Sequence, residues 1–246
     1  EQLRAFHARF YGATRAEFGA AGDMDVAAVR QALQSAFGDW RSAVPYTRVP
    51  TPLVPVKPER MVLAAPDNPN AAMLATLALP ISDNDADYPA LMMANYLLGS
   101  GGSSRLWKRI REAEGLSYDV RSSIGWSSIE PHSDWQARAI FAPQNQQKVE
   151  AAFKAEVARA LKDGFTEQEL AEAKRGLLNL RRLSRAQDGT IAAQWARNLY
   201  LGRTFAISAQ VDAALAALTL AQVNEALRKY LKPDRFVSAF AGDFKP

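Results

Sequence analysis

The chain has 246 residues, 30 basic against 26 acidic, for a formal charge of +4. That length suits one large or two small domains, and 48% hydrophobic residues supply a core and exclude a disordered chain. The charges are scattered rather than blocked, which argues against a nucleic-acid tail, and the lack of cysteine excludes disulfides, thiol nucleophiles and cysteine-bound zinc.

The chain opens on "EQLRAFHARFYG", already in helical pattern and without a signal-peptide pattern, and is expected to be a piece of a longer polypeptide. Leu3, Phe6 and Phe10 share one helix face, and Gly12 stops it. The small residues Ala16 to Asp23 read as a short strand. Asp25 then caps a helix with Val26, Val29, Leu33 and Phe37 as its apolar stripe and Gly38 as its stop. Arg41 to Pro58 carries five prolines and reads as an extended linker. The expected organisation is a helix-strand-helix segment with its linker over 1–52 and a main α+β body over 53–246.

Two strands follow, "RMVLAAP" and "AAMLATLALPI", separated by the turn sequence "DNPN". The second is the longest apolar run and is broken by Pro80. It falls short of the roughly 18 residues that a membrane span needs. Asp87 to Gly99 reads as a helix with Pro89 in its first turn, "SGGSS" as a loop, and "SSRLWKRIREAEG" as a helix capped by Ser103 or Ser104. "LSYDVRSSIGW" and "SDWQARAIFAP" alternate like antiparallel strands. A long amphipathic helix ends at Gly164. The next opens with the capping box Thr166 and Glu169, with Phe165 as a staple residue. "GTIAAQWARNLYLG" is a further helix, Thr219 and Gln222 repeat the capping box, and "DRFVSAFAGD" closes as a strand. About six strands and eight helices, with strands often adjacent, predict an α+β fold: a mainly antiparallel sheet with helices packed on one face. One internal echo is visible, "FGAAGD" near the start and "SAFAGD" at the end.

Chemistry-bearing motifs are few. His7 and His132 lie in separate elements, and neither H-E-x-x-H nor H-x-x-E-H occurs, so no zinc site can be assembled. There is no G-x-S-x-G elbow. "GSGGSSRL" lacks the Lys and the preceding strand of a phosphate loop. Glu167, Glu169, Glu172 and Lys174 read as a solvated helix face. Arg111, at a helix end, and Tyr118, across the Gly115 corner, are both hydrogen-bond donors suited to a peptide carbonyl or a developing oxyanion. Packing is the competing account: Leu116, Tyr118 and Val120 would share a strand face, and a helix C-terminus favours a cation. From spacing alone, packing is the stronger account.

The order of four segments shifts that balance. "LRAFHARFYGATRAEFGAAGDMD…ALQSAFGDW", "LLGSGGSSRLWKRIREAEGLSYDV", "DGFTEQELAEAKRGLL" and "TLAQVNEALRKYLKPDRFV" together resemble the insulinase/pitrilysin and mitochondrial-processing-peptidase family of zinc metallopeptidases, from about Leu3 to Val237. The resemblance implies two related domains around a chamber, one carrying H-x-x-E-H and zinc, the other contributing an arginine and a tyrosine seven positions apart. Arg111 and Tyr118 match that pair, and the resemblance implies that they bind substrate backbone near the scissile bond. The family's "Y-x-P" reads "YGA" here, over Tyr11 to Ala13. With no zinc motif and a closing "AGDFKP", the chain is similar to the zinc-free carboxy-terminal half.

The expectation is a substrate-binding, non-catalytic domain of a bacterial two-domain zinc peptidase, with no cofactor of its own and zinc in the partner domain. Its partners would be an H-x-x-E-H domain and a peptide, with no nucleic acid and no membrane span. A homo-oligomer stays open. The Ala- and Arg-rich composition suggests a GC-rich bacterium, and family habit a periplasmic location. The alternative is a structural or assembly subunit of the same family in which Tyr118 is buried. A metal-free hydrolase has no nucleophile, base and orienting group to support it.

Overall fold

A computed structural model describes residues 1–244 of the chain. Five strands form one sheet in the order β1-β5-β2-β4-β3, with β1 Glu59–Ala64, β2 Ala71–Leu79, β3 Asp119–Gly125, β4 Ser133–Phe141 and β5 Val237–Gly242. β2 runs antiparallel to β4 and β5, and β3 antiparallel to β4, while β1 lies parallel to β5. The expected α+β fold with a mainly antiparallel sheet is borne out.

Alternation explains how the sheet is covered. In β2, Ala71, Met73, Ala75, Leu77 and Leu79 are buried while Ala72 and Leu74 are exposed, and β4 alternates the same way over its whole length. A period-two pattern of this kind puts one face in a core and leaves the other open. Helices α3 Tyr88–Asn95, α4 Gln146–Asp163 and α8 Leu220–Tyr230 supply core residues such as Met93, Phe153, Val157 and Leu227. Asn95 Oδ1 accepts from Ser122 Oγ at 2.7 Å and from Trp135 Nε1 at 2.9 Å, a buried polar link that fixes α3 against β3 and β4.

The caps form as expected. Asp25 accepts from the N–H groups of Ala27 and Ala28, opening α2 Val26–Phe37. Thr166 and Glu169 exchange bonds at the start of α5 Glu167–Ser184, and Thr219 and Gln222 at the start of α8. Ser104 precedes the helix beginning at Arg105, but its buried hydroxyl makes no hydrogen bond, so the expected serine cap is absent.

The chain divides into two compact units. One, residues 51–179 with those from 211 onward, holds the sheet. The other, residues 1–50 with 180–210, contains α1 Gln2–Phe10, α2 and α6 Asp188–Leu201. In this second unit the Tyr46 and Tyr200 hydroxyls lie 3.1 Å apart and His7 stacks on Tyr11. None of its apolar side chains is fully buried, and Leu3, Phe6, Phe10 and Phe18 are exposed. Helix α7 Ala206–Ala217 had no counterpart in the sequence reading.

The strand expected over Ala16 to Asp23 does not form. Yet residues 3–23 align without a gap on 223–243, and α1 and α8 end at the matching positions Phe10 and Tyr230. The counterpart of β5 therefore has strand-like sequence but no strand beside it among the described residues.

Candidate functional site

Arg105 anchors the helix that carries Arg111. Its guanidinium forks onto Glu169 through Nε and Nη2, both at 2.8 Å, donates to the Gly164 carbonyl at 2.7 Å, and lies 4.8 Å from the Phe165 ring centre. Burial alone would push the Glu169 carboxyl up, but Arg105 and the Thr166 N–H outweigh it and hold it at about 2. Beyond Arg105 the backbone widens into a π-helical turn over Trp107–Ala113. The Glu114 N–H reaches back five residues to the Arg109 carbonyl. Such turns interrupt α-helices at functional sites more often than elsewhere.

Gly115 ends the turn in the left-handed region at φ 61°, and the Leu116 N–H closes on the Ile110 carbonyl at 2.9 Å. The chain then enters the sheet at a corner rather than as regular strand. The Tyr118 N–H bonds the Ile140 carbonyl at 2.9 Å, but β3 begins only at Asp119. Leu116 and Val120 are buried and so is Ser117, whose hydroxyl donates to the Ile140 carbonyl at 2.7 Å. Tyr118 is thrown outward and is 68% exposed. The shared strand face that would have made it a core tyrosine does not exist.

Arg111 is also exposed, with its Cζ 4.0 Å from the Trp107 ring centre. Among the described residues neither the Arg111 guanidinium nor the Tyr118 hydroxyl has a hydrogen-bond partner, and no bond joins the two. Both sets of donors face solvent at one end of β3, an outer strand of the sheet.

Three neighbours escaped the sequence reading. The Arg121 Cζ lies 4.1 Å from the same Trp107 ring, so one indole carries two guanidiniums. The indole N–H donates to Glu112 at 3.0 Å. Arg138 stands opposite Arg121 across the β3–β4 pair. The spacing of Trp107 and Arg111, one helical turn, was the available signal for the first contact. Arg121 and Arg138 join only through strand register.

The histidines do not make a metal site. His132 Nδ1 is 2.9 Å from the Thr51 carbonyl oxygen, and His7 stacks on aromatic rings. Among the described residues no group of three or more metal-ligating side chains occurs, so these residues do not fit a zinc ion. The "SGGSS" loop lines a small cleft with Lys108, Glu169 and Glu172, in which Glu169 is already paired with Arg105. A roomier cleft, about 510 Å³, opens beside β1 and is lined by Met73, Phe153, Phe236 and Phe240. Met73 and Phe240 belong to the helix-covered side of the sheet, whereas Arg121 and Arg138 lie on its open side, so this cleft is separate from the Arg111 site. Among the described residues no single helix is long and apolar enough to cross a membrane.

Comparisons with known proteins bear on the family and the fold. The family model described as "Peptidase M16 inactive domain" matches residues 1–177. The fold is similar to the crystal structure of a peptidase M16 inactive domain from Pseudomonas fluorescens, with 25% identity and a TM-score of 0.77, covering 100% of this chain and 58% of that one. A protease from Helicobacter pylori gives 17% identity and a TM-score of 0.73, with 92% and 54% covered. The periplasmic protease PqqL from Escherichia coli gives 17% and 0.66, with 89% and 24% covered. The chain thus spans little more than half of the first two proteins' lengths and about a quarter of the third's. No curated protein matches it. The match over residues 1–177, on a fold with no metal-ligand cluster among its described residues, places this chain in the peptidase M16 inactive-domain family.

Proposed function

We propose that this chain is the non-catalytic, substrate-binding part of a bacterial two-domain zinc peptidase, acting with an H-x-x-E-H domain that supplies the metal, the base and the water. Arg111 and Tyr118 hold the peptide backbone beside the scissile bond and donate to the oxygen on which negative charge develops. Donors that strengthen as charge grows lower the barrier rather than only tightening binding. The observation that carries this reading is the exposed pair with unused donors at the head of β3. As an outer strand, β3 also offers main-chain groups for an extended peptide. The periplasm is the proposed compartment, supported by the E. coli relative described as periplasmic.

The second reading is a structural or assembly role. The exposed Leu3, Phe6 and Phe10 are the side chains that a partner would cover, but exposure of Tyr118 runs against that reading's own mark, a buried tyrosine.

The test is peptide cleavage by this chain paired with its H-x-x-E-H domain. Arg111→Ala and Tyr118→Phe should each lower kcat/KM, by about 100-fold where the donor serves the developing oxyanion. Unchanged kcat/KM in both variants would leave the assembly role.

A further inference from the structure

Arg111 belongs to a larger cationic group on the open side of the sheet. Arg121 of β3 and Arg138 of β4 are direct cross-strand partners, an arrangement in which like charges repel. One carboxylate stands between them. Asp119 accepts from Arg121 Nε at 3.2 Å and from Arg138 Nη2 at 3.4 Å. Glu112, beside Arg111 in sequence, accepts from the Trp107 indole rather than from a guanidinium. Arg121 and Arg138 therefore share a single paired carboxylate, and among the described residues no other carboxylate bonds to either of them or to Arg111. Trp107 holds Arg111 and Arg121 over one ring; Arg111 is exposed and Arg121 about one-third exposed. Guanidinium forks match a carboxylate in geometry as well as charge.

We propose that Arg121 and Arg138, steadied by Trp107 and Asp119, form an anion subsite that selects an acidic side chain in the peptide. The proposal rests on the reading that a peptide lies along Arg111 and Tyr118. It adds a specificity that the pair itself does not supply: the pair meets backbone present in every peptide, whereas the subsite distinguishes one side chain from another. A carboxylate entering here relieves the Arg121–Arg138 repulsion, and an ammonium group adds to it. Arg138 is two-thirds exposed, so the preference is modest and weakens with salt.

The experiment uses the paired peptidase and two series of quenched fluorescent peptides, identical except that a Glu or a Gln is moved through the positions flanking the cleaved bond. The expected result is one or two positions where Glu is preferred over Gln by roughly tenfold in kcat/KM, the ratio shrinking in high salt. In Arg121→Gln and in Arg138→Gln that ratio should fall towards one. Removing either member of a repelling pair should not unfold the sheet, and a thermal melt checks this. Fluorescence anisotropy with the same peptides gives the same ratio where cleavage is slow. No preference at any position, or one that survives both substitutions, overturns the subsite. Arg111→Ala separates the two ideas, because it should slow cleavage of both series alike. If it has no effect while the Glu preference still depends on Arg121, the backbone clamp falls and the subsite stands.

Discussion

The Arg111 guanidinium lies 4.0 Å from the centre of the Trp107 ring, one turn earlier in the same helix. The contact places the charge without using any of its N–H donors. Replacing Trp107 by Ala removes a platform worth about 1 kcal/mol at an exposed site and frees both Arg111 and Arg121. In the paired peptidase, Trp107→Ala should therefore lower kcat/KM less than Arg111→Ala does, and Trp107→Phe should restore part of the loss. Equal losses in all three variants would show that the ring does more than position arginines.

Arg111 and Tyr118 contribute little to folding, since both are exposed and without polar partners. Arg111→Ala should cost no more than about 1 kcal/mol in a urea titration, the worth of its contact with the Trp107 ring, and Tyr118→Ala less than about 0.5 kcal/mol. A larger loss would restore the packing account of the corner.

Arg105 is the opposite case. Its guanidinium is mostly buried and joins Glu169, Gly164 and Phe165. Arg105→Ala should cost about 2 kcal/mol in the same titration, because it leaves a partly buried carboxylate without its partner.

Two carboxyls make stability depend on acid. Hydrogen bonds from Arg60 and then Lys154 hold Glu150 at about 2, and Glu169 is also held at about 2 against an upward push from burial. Both ordinarily titrate near 4.5. Below that value the unfolded chain takes up protons that the folded chain refuses. The stability these groups supply is complete above pH 4.5 and is lost as pH falls towards 2. A melting series across that window should show a steep decline that Glu150→Gln with Glu169→Gln flattens.

Two glycines separate strain from crowding. A Cβ on Gly115 would meet open space, so Gly115→Ala carries only the penalty of a left-handed backbone, about 1 kcal/mol. A Cβ on Gly99 would run into Ser122, backbone and side chain alike, so Gly99→Ala should cost more. Urea midpoints for the two variants would rank them.

Local pattern was readable wherever one element determines its own environment. β2 and β4 advertise their buried faces by alternation, and Thr166 with Glu169 and Thr219 with Gln222 mark helix starts at the positions where they form. Reading failed where a distant partner decides. Ala16 to Asp23 has strand composition but no strand to bond. Tyr118 breaks an apparent alternation because the helix end turns the chain before β3 starts. Helix α7 is Ala-rich, with little contrast between its faces. Of the site, the sequence pointed to Arg111 and Tyr118. Arg121 and Arg138 become neighbours only through the β3–β4 register.

The position of β5 governs the order in which the sheet can assemble. β2, β4 and β3 pair among themselves within residues 71–141, so a three-stranded sheet can close early, with modest sequence separation between its partners. β1 precedes all of them in the chain, yet among the described residues its one neighbour is β5, the last of the five strands. On a ribosome β1 would wait unpaired while almost the entire remainder of the sheet-bearing unit is synthesised. β5 lies between β2 and β1, so β1 can pair only once β5 is available. The edge beside Arg60 is thus the last part of the sheet to form, and under stress it is the first expected to let go.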